Sequence, residues 1–357
     1  MQRDRPRDGH AGPQASGRPG DAGRDLTART AAEAFLAALA RRGVEYLYVN
    51  AGTDFASVVE AYARRNESGL ELPTPVICPH ENLAVGMAHG YALATGRPQA
   101  VMVHVSVGTA NCVCGILNAA RDQVPLLLAA GRTPLYEKGR PGARNASIHW
   151  AQEMFDQAGL VRELVKWDYE LRDALQADLV ADRALAVART APQGPVYVTL
   201  PREVLAQEPP AGGVFEAATA IPAEPAADPA GVERLAELLT AAELPVIITS
   251  AAGGSRETVA AFGRLVERFG IGVVEYRARR LSLPASHPLH LGGDNRIGLE
   301  QADLIVVLES DVPWMPEGNG EPRPEARIVQ IGVDPLFARY PIRSFRSDLT
   351  LATSLTA

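Results

Sequence analysis

Cysteine, long apolar runs and excess positive charge are all scarce in this sequence of 357 residues. The three cysteines, Cys78, Cys112 and Cys114, are too few for a disulfide framework, so a reducing cytoplasm is predicted. Cys112 and Cys114 have no histidine pair nearby, so no metal site is predicted. No apolar run reaches the ~20 residues that span a bilayer. The net charge is −7, whereas nucleic-acid-binding domains usually carry a basic patch. The sequence therefore argues against membrane and nucleic-acid partners.

Length and composition indicate two folded domains. At ~150 residues per domain, the chain is long enough for about two. Residues 1–25 mix Arg, Asp, Gly and Pro with almost no large apolar side chain, so we expect a disordered tail. Residues 206–229 contain five prolines among Ala and Gly, which is typical of an extended linker. The folded domains are then expected at 26–205 and 230–357.

Strand-like and helix-like segments alternate in both domains. The segment 124–130 is continuously apolar, as is typical of a strand buried on both faces of a sheet. Alternating strands and helices imply right-handed crossovers, so the predicted fold class is α/β with two doubly wound parallel sheets. The predicted strands lie at 44–49, 75–78, 100–105, 124–130 and 195–200, and then at 246–249, 272–275, 304–308 and 328–331. The predicted helices lie at 54–65, 82–95, 109–121, 177–190 and 232–242.

Small and polar residues cluster where three predicted strands of the first domain end. In open parallel sheets, ligands bind at the carboxyl ends of the strands. The segments are 50–53, 79–81 and 104–109, and each of them precedes a helix. Gly52 and Gly108 would let the backbone approach a ligand closely. The alternative is ordinary turn chemistry, in which a Gly-Thr pair starts the next helix.

Glu81 is the most unusual residue at these strand ends. It precedes a helix that contains Ala84, Gly86, Ala88 and Gly90, and such small residues imply close approach by a packed partner. A carboxylate at this position can complement the helix dipole. A partly buried carboxylate at such a junction is also suited to proton transfer.

The segment that contains Glu81 resembles a known family. Residues 79–92, PHENLAVGMAHGYA, resemble the H-E-x-x-A-x-x-M-A-x-G-Y-A block of thiamine-diphosphate-dependent 2-oxo acid enzymes, which include acetolactate synthase and benzoylformate decarboxylase. The resemblance runs from about Thr27 to the C-terminus. It continues in VGTAN at 107–111, LVKWDYE at 164–170, APQGPVYV at 191–198, HPL at 287–289 and ADLIVVL at 302–308. It implies a pyrimidine-binding domain followed by a Rossmann-like central domain.

The resemblance also implies a role for each candidate residue. Glu81 would hydrogen-bond N1′ of the cofactor's aminopyrimidine, which helps N4′ to remove the proton at C2 of the thiazolium ring. His104 would relay protons, with a satisfied histidine at a strand end as the alternative. The implied catalytic residues are Glu81 and His104; the implied cofactor-binding residues are Glu81, Asn50, Gly52, Gly108, Thr109 and Asn111; the implied substrate contacts are Thr53, His104 and His80.

The motif that holds Mg²⁺ and the diphosphate in this family is not found in this sequence. The family's diphosphate-binding domain carries Gly-Asp-Gly and a following Asn, which hold Mg²⁺ and the diphosphate. This sequence contains no Gly-Asp-Gly. We therefore expect thiamine diphosphate as cofactor, with the Mg²⁺ ligands on a separate diphosphate-binding subunit in a homo- or hetero-oligomer. A fragment and a non-catalytic or regulatory subunit that keeps the fold are the alternatives.

The expected reaction is the decarboxylation or carboligation of a small-molecule 2-oxo acid. Synthases of the family can bind FAD against the central domain, so the resemblance also allows FAD as a cofactor. Residues 251–255, which follow a predicted strand there, could then approach a phosphate of FAD. An ordinary strand-to-helix turn is the alternative for that segment. A nucleotide-binding Rossmann protein is disfavoured, because no G-x-G-x-x-G follows the first strand.

Overall fold

The computed structural model describes residues 28–209, 219–317 and 321–355. The tail predicted at 1–25 lies outside the described residues, as does part of the predicted linker. The linker residues 219–228 are described and contain no helix or strand. Within the described ranges, no helix is both long enough and apolar enough to cross a membrane.

Six parallel strands form the sheet of the first domain, in the order β2-β1-β3-β4-β6-β5. The central strand β3 is buried along its whole length, and β4 is buried at all but its last residue, which explains the continuous apolar run in the sequence. The strands are β1 (Tyr46–Asn50), β2 (Thr74–Ile77), β3 (Gln99–Val103), β4 (Leu126–Arg132), β5 (Asp168–Glu170) and β6 (Val196–Pro201).

Helices cover both faces of this sheet. Ala100 and Met102 of β3 point into a core shared with the first and seventh helices, whereas Val101 and Val103 point into a core shared with the fourth and fifth. The doubly wound α/β prediction is therefore confirmed. The helices are α1 (Ala31–Arg41), α2 (Ala56–Ala63), α3 (Arg65–Ser68), α4 (Glu81–Thr95), α5 (Val105–Arg121), α6 (Ile148–Ala151), α7 (Ala177–Arg189) and α8 (Arg202–Leu205).

The strand order places a crevice between the ends of β1 and β3. From β1 the chain passes to β2 on one side and then returns to β3 on the other side. Such a reversal of strand order separates the two following loops and opens a cleft at the carboxyl edge of the sheet. The loops that follow β1 and β3 begin at Ala51 and His104, so Gly52, Thr53 and His104 lie at this reversal, while Glu81 follows the neighbouring strand β2.

The second domain contains another six-stranded parallel sheet, in the order β12-β11-β10-β7-β8-β9. Counted within the domain and from the other edge, this is the order 3-2-1-4-5-6 of dinucleotide-binding sheets. The Rossmann-like prediction is thus confirmed for the fold. The elements are α9 (Pro229–Ala241), β7 (Pro245–Thr249), α10 (Arg256–Phe269), β8 (Gly272–Glu275), β9 (His290–Gly292), α11 (Arg296–Leu299), β10 (Leu304–Leu308), β11 (Arg327–Gly332) and β12 (Leu349–Ala352).

The largest boundary difference concerns α5, which begins at Val105 rather than at residue 109. The predicted strand extension to residue 105 is therefore wrong, because the backbone turns at His104, the N-cap of the helix. Gly108 consequently lies inside the helix, where a Cβ would come 2.9 Å from the Cβ of Val103. This glycine lets α5 pack closely on β3. Helix α1 was not among the predicted helices, although Thr30 and Glu33 have the spacing of a capping box; its residues 31–39 are all buried and show no polar face.

The last residues of α5 hold the two domains together. The Arg121 guanidinium donates to the carbonyl oxygen of Arg339 at 3.1 Å and stacks over the Tyr340 ring, 4.5 Å from its centroid. Arg339 in turn donates to the carbonyl oxygen of Val165 at 3.0 Å. Arg279 donates to the Arg121 carbonyl oxygen at 3.2 Å. The same helix therefore starts at the crevice of the first sheet and ends at the second domain.

Candidate functional site

The turn after β1 forms one wall of the crevice. The Asn50 amide donates to the carbonyl oxygen of Cys78 at 2.9 Å and so ties the end of β1 to the end of β2. At Gly52, a Cβ would lie 2.2 Å from Nδ1 of His104, so only glycine lets this turn pass against the imidazole ring. Thr53 is exposed and begins a short 3₁₀ turn, Thr53–Phe55, whose N-cap is Gly52, so its side chain does not cap that turn.

His104 is held by a carboxylate that the sequence did not reveal. Its Nδ1 lies 2.6 Å from Oδ1 of Asp54, whose side chain is 2% exposed. The other oxygen of Asp54 accepts the backbone N–H of Val105 at 3.3 Å. The hydrogen bond to Asp54 raises the pKa of His104 above its ordinary value, against the opposing effect of burial, and the nearby Gln152 side chain adds to the rise. His104 is therefore a partnered, partly accessible imidazole at the end of β3.

Glu81 is the first residue of α4 and is almost completely buried. Its N-cap is His80, whose Nδ1 accepts the backbone N–H of Asn82 at 3.1 Å. Oε2 of Glu81 accepts a hydrogen bond from the Asn111 amide at 3.0 Å, and His80 Nδ1 lies 4.0 Å from the same oxygen. Oε1 accepts no hydrogen bond from the residues that the structure describes. The structure thus joins two predicted site residues and leaves one carboxylate oxygen free.

Two predicted cofactor-binding residues lie deeper than the crevice. Thr109 is fully buried, its hydroxyl donates to the carbonyl oxygen of Val105 at 2.8 Å, and the Tyr197 hydroxyl lies 2.9 Å away. Gly108 packs against Val103. These two residues shape α5, and neither presents a free polar group to the crevice. Their predicted contact with the cofactor stays a prediction.

A loop between β4 and β5 covers part of the crevice, and sequence reasoning assigned it no role. Oε1 of Glu153 accepts from the Arg132 guanidinium at 2.9 Å, Oε2 accepts from the Thr133 hydroxyl at 2.6 Å, and Arg144 pairs with the same carboxylate. The Ser106 hydroxyl donates to the carbonyl oxygen of Gln152 at 2.9 Å. These bonds fix the loop beside His104.

The outer face of α4 and α5 is apolar and has no partner within the described residues. Its exposed large side chains are Leu83, Met87, Leu93, Val107 and Leu117. Along α4, a Cβ at Gly86 or at Gly90 would meet nothing within 4 Å. Glu81 lies at the start of this face and Asn111 lies within it, so the face adjoins the site directly. We call it the α4–α5 face.

The side chains fit part of a thiamine diphosphate molecule. The free Oε1 of Glu81 can share a proton with a ring nitrogen of an aminopyrimidine, which by itself only accepts hydrogen bonds. Magnesium takes several oxygen ligands, and in the part of the chain that the structure describes no group of three or more His, Cys, Asp or Glu is placed to hold a metal. The described residues therefore fit the pyrimidine and supply no metal centre.

Two positions of the central domain do not fit the phosphate and ribose contacts that dinucleotide-binding sheets usually make, and FAD as a cofactor stays a prediction. In such sheets the phosphates approach a glycine turn after the first strand, and an acidic residue at the end of the second strand binds the ribose. Here a Cβ at Gly253 would lie 1.6 Å from the carbonyl oxygen of Leu281, so the protein's own backbone covers that turn. Glu275 accepts the N–H groups of Ser282 at 2.6 Å and Leu283 at 2.8 Å. Both positions are occupied by the segment that follows β8.

Comparison with known proteins identifies the family. Residues 29–160 match the family model described as "Thiamine pyrophosphate enzyme, N-terminal TPP binding domain", and residues 232–343 match "Thiamine pyrophosphate enzyme, central domain". The chain belongs to the thiamine pyrophosphate enzyme family. The resemblance that began with the Glu81 segment is thereby confirmed.

Individual relatives agree with this assignment. The acetolactate synthase large subunit of Lactococcus lactis is 28% identical over 275 residues, covering 76% of this chain and 45% of that protein. The benzoylformate decarboxylase of Pseudomonas aeruginosa is 29% identical over 273 residues, covering 72% of this chain and 49% of that protein. The benzoylformate decarboxylase structure from Polynucleobacter necessarius matches the fold with a TM-score of 0.73 at 21% identity, over 92% of this chain and 59% of that chain. The chain spans about half the length of the curated relatives it matches.

Proposed function

We propose that this chain supplies the pyrimidine-binding half of a thiamine-diphosphate-dependent active site that decarboxylates or ligates a 2-oxo acid. The observation that carries the proposal is the Glu81 carboxylate, which is buried at the start of α4 with one oxygen fixed by Asn111 and the other free. The family, and relatives named acetolactate synthase and benzoylformate decarboxylase, support this chemistry.

Glu81 binds and orients the aminopyrimidine in this proposal. A carboxyl group that shares a proton with a ring nitrogen changes which nitrogens of that ring carry protons, and the fixed Oε2 keeps Oε1 at a constant position. When bound, thiamine diphosphate supplies an electron-accepting ring that makes the loss of CO₂ from a 2-oxo acid feasible. The protein's contribution is therefore position and proton placement.

His104 and Thr53 serve the substrate side of the same crevice. His104 is partly accessible and its pKa is raised by the bond to Asp54, so it can accept a proton and pass it to or from a reacting carbon or oxygen. Thr53 is exposed on the loop that contacts His104 through Gly52, so its hydroxyl can meet a carboxylate or carbonyl group of the 2-oxo acid. His80 is occupied as the cap of α4 and contributes position.

We propose that a separate subunit with the diphosphate-binding residues and Mg²⁺ ligands docks on the α4–α5 face. An exposed apolar patch beside a site usually marks a contact surface. The open space at Gly86 and Gly90 would let a partner's backbone come close to α4. Because the face adjoins Glu81, a subunit bound there would bring the diphosphate half next to the pyrimidine half. The free thiols of Cys78, Cys112 and Cys114 support a reducing cytoplasm as the location.

The proposal is tested first on the isolated chain with thiamine diphosphate and Mg²⁺ as the probe. Half of a site binds weakly, so isothermal titration should show no micromolar binding. At millimolar concentrations, NMR spectra should show saturable shifts of the Glu81 and Asn111 signals. Glu81→Gln should lose these shifts while keeping its fold. Glu60→Gln, an exposed carboxylate on α2, is the matched control and should behave like the wild-type chain.

A second arm uses the complex with the diphosphate-binding subunit. CO₂ release from pyruvate and from benzoylformate should fall by at least about 10²-fold in Glu81→Gln, the scale of lost acid–base catalysis. Tight stoichiometric binding by the isolated chain would refute the divided site. Unchanged NMR shifts and unchanged CO₂ release in Glu81→Gln would refute the role of Glu81 and favour a non-catalytic subunit.

A further inference from the structure

We propose that Asp54 is the positioning residue of the site: it fixes the orientation and tautomer of His104, so that Nδ1 carries the proton and Nε2 is left to act. The contact itself is a property of this chain, and only its catalytic consequence rests on the proposed function. Asp54 touches His104 and the helix start at Val105 and is too deeply buried to meet a ligand. Any effect on the reaction must therefore pass through the groups that it touches, and of these His104 is the one that can exchange protons.

Two glycines make the space for this pair. A Cβ at Gly131, on β4, would lie 1.7 Å from Oδ2 of Asp54, and a Cβ at Gly52 would lie 2.2 Å from Nδ1 of His104. Each of these contacts is far inside van der Waals distance, so a larger residue at either position would displace one member of the pair. The backbone on both sides of the crevice is thus shaped around the carboxylate and the imidazole.

The pairing determines which ring nitrogen is available. A carboxylate only accepts hydrogen bonds, so at 2.6 Å it requires a proton on Nδ1 of His104. In the neutral ring, Nε2 is then an unprotonated acceptor and can serve as a base. When the ring is charged, Nε2 carries the proton that it can donate.

Other charged and polar groups surround the ring. The Gln152 side chain on the covering loop also raises the pKa of His104, and the Glu81 carboxylate adds a smaller rise. His149 lies near enough to His104 for its own pKa to be lowered in part by that neighbour, although burial is the larger cause. The hydrogen bond to Asp54 is the largest cause of the rise at His104, so removing it should lower the pKa of His104.

The direct test needs no variant and no cofactor. The chain contains seven histidines, so ¹⁵N-labelled histidine gives a spectrum in which each ring can be assigned. Above the pKa of His104, the wild-type chain should show a protonated Nδ1 and an unprotonated Nε2. The opposite tautomer in the wild-type chain would overturn the proposal.

Asp54→Asn provides the second measurement. The asparagine amide can donate to Nδ1, which would move the ring proton to Nε2, and the lost negative charge should lower the pKa of His104. Asp156→Asn removes an exposed carboxylate that pairs with Arg162, and it should leave the His104 signals unchanged. A purely structural Asp54 would instead lower thermal stability and leave the tautomer and the titration unchanged, which would also overturn the proposal.

Kinetics of the complex with the diphosphate-binding subunit separate this inference from the proposed function. Asp54→Asn should lower kcat by about 10²-fold or more with little change in KM, because the misplaced proton affects the reacting step. An active complex whose kcat is unchanged in the variant would overturn the positioning role. If no complex turns over any 2-oxo acid, the proposed function fails, while the tautomer measurement still decides the role of Asp54.

Discussion

Replacing Gly52 by alanine is the sharpest steric test of the crevice. The new Cβ would lie 2.2 Å from Nδ1 and 2.3 Å from Cγ of His104. Comfortable contact needs about 3.5 Å, so the ring or the turn must move by roughly 1 Å. A shift of that size breaks the 2.6 Å contact between His104 and Asp54.

The energetic cost follows from two terms. Overpacking of this kind costs about 1–3 kcal/mol, and a lost hydrogen bond to a charged group costs about 1.5–3 kcal/mol. The terms overlap, because one movement relieves the clash and breaks the bond, so we expect a loss of about 2–4 kcal/mol in the free energy of unfolding. For a domain of this size the midpoint of thermal unfolding should fall by roughly 5–15 °C.

Thermal unfolding and histidine NMR check the prediction together. The pKa of His104 should fall in Gly52→Ala, since the bond to Asp54 is what mainly raises it. Gly263→Ala in α10 is the matched control: its Cβ would meet only Leu283 Cδ1 at 4.0 Å, and alanine favours a helix. Wild-type stability with an unchanged His104 titration in Gly52→Ala would show that the turn does not press on the ring.

Two further predictions concern other parts of the chain. Burial, with a smaller effect from Arg339, lowers the pKa of Lys166 to about 8. The unfolded chain therefore binds more protons between pH 8 and roughly 10.4, and the free energy of unfolding should rise across that window by about 1–2 kcal/mol after allowance for partial exposure. Urea unfolding at pH 7 and 9.5 should show this rise in the wild-type chain but not in Lys166→Met. An equal change in the free energy of unfolding with pH in the two proteins would contradict the prediction. Gly253→Ala should lose about 1–3 kcal/mol or more, because its Cβ would strike the Leu281 carbonyl oxygen, whereas Gly254→Ala should unfold like the wild-type chain.

Local patterns in the sequence were enough to predict the layered fold. The residues of β3 and β4 are apolar on both faces, and that pattern needs no knowledge of distant contacts. Glu81 was likewise found because its helix contains an unusual series of small residues and resembles a known block. Features that depend on one short segment are therefore accessible from sequence.

Features that depend on topology were not accessible. Asp54 and His104 are 50 positions apart, and they meet only because β1 and β3 are neighbours in the sheet. In the sequence, Asp54 looks like an ordinary acidic residue before a helix. Gly131, a glycine at the end of an apolar strand, was the available signal, since such glycines often mark close approach by another group.

Helix α5 links the site to the second domain through a single rigid element. Its 17 residues span about 25 Å. Asn111, which fixes Glu81, lies two turns into the helix, while Arg121 at its last position contacts the second domain through Arg339 and Tyr340. A rotation of the second domain would therefore pull on the helix that supports the Glu81 carboxylate. Domain packing and cofactor affinity should accordingly be coupled. A ligand or crystal environment that moves the second domain should change the affinity of the first domain's site for its cofactor.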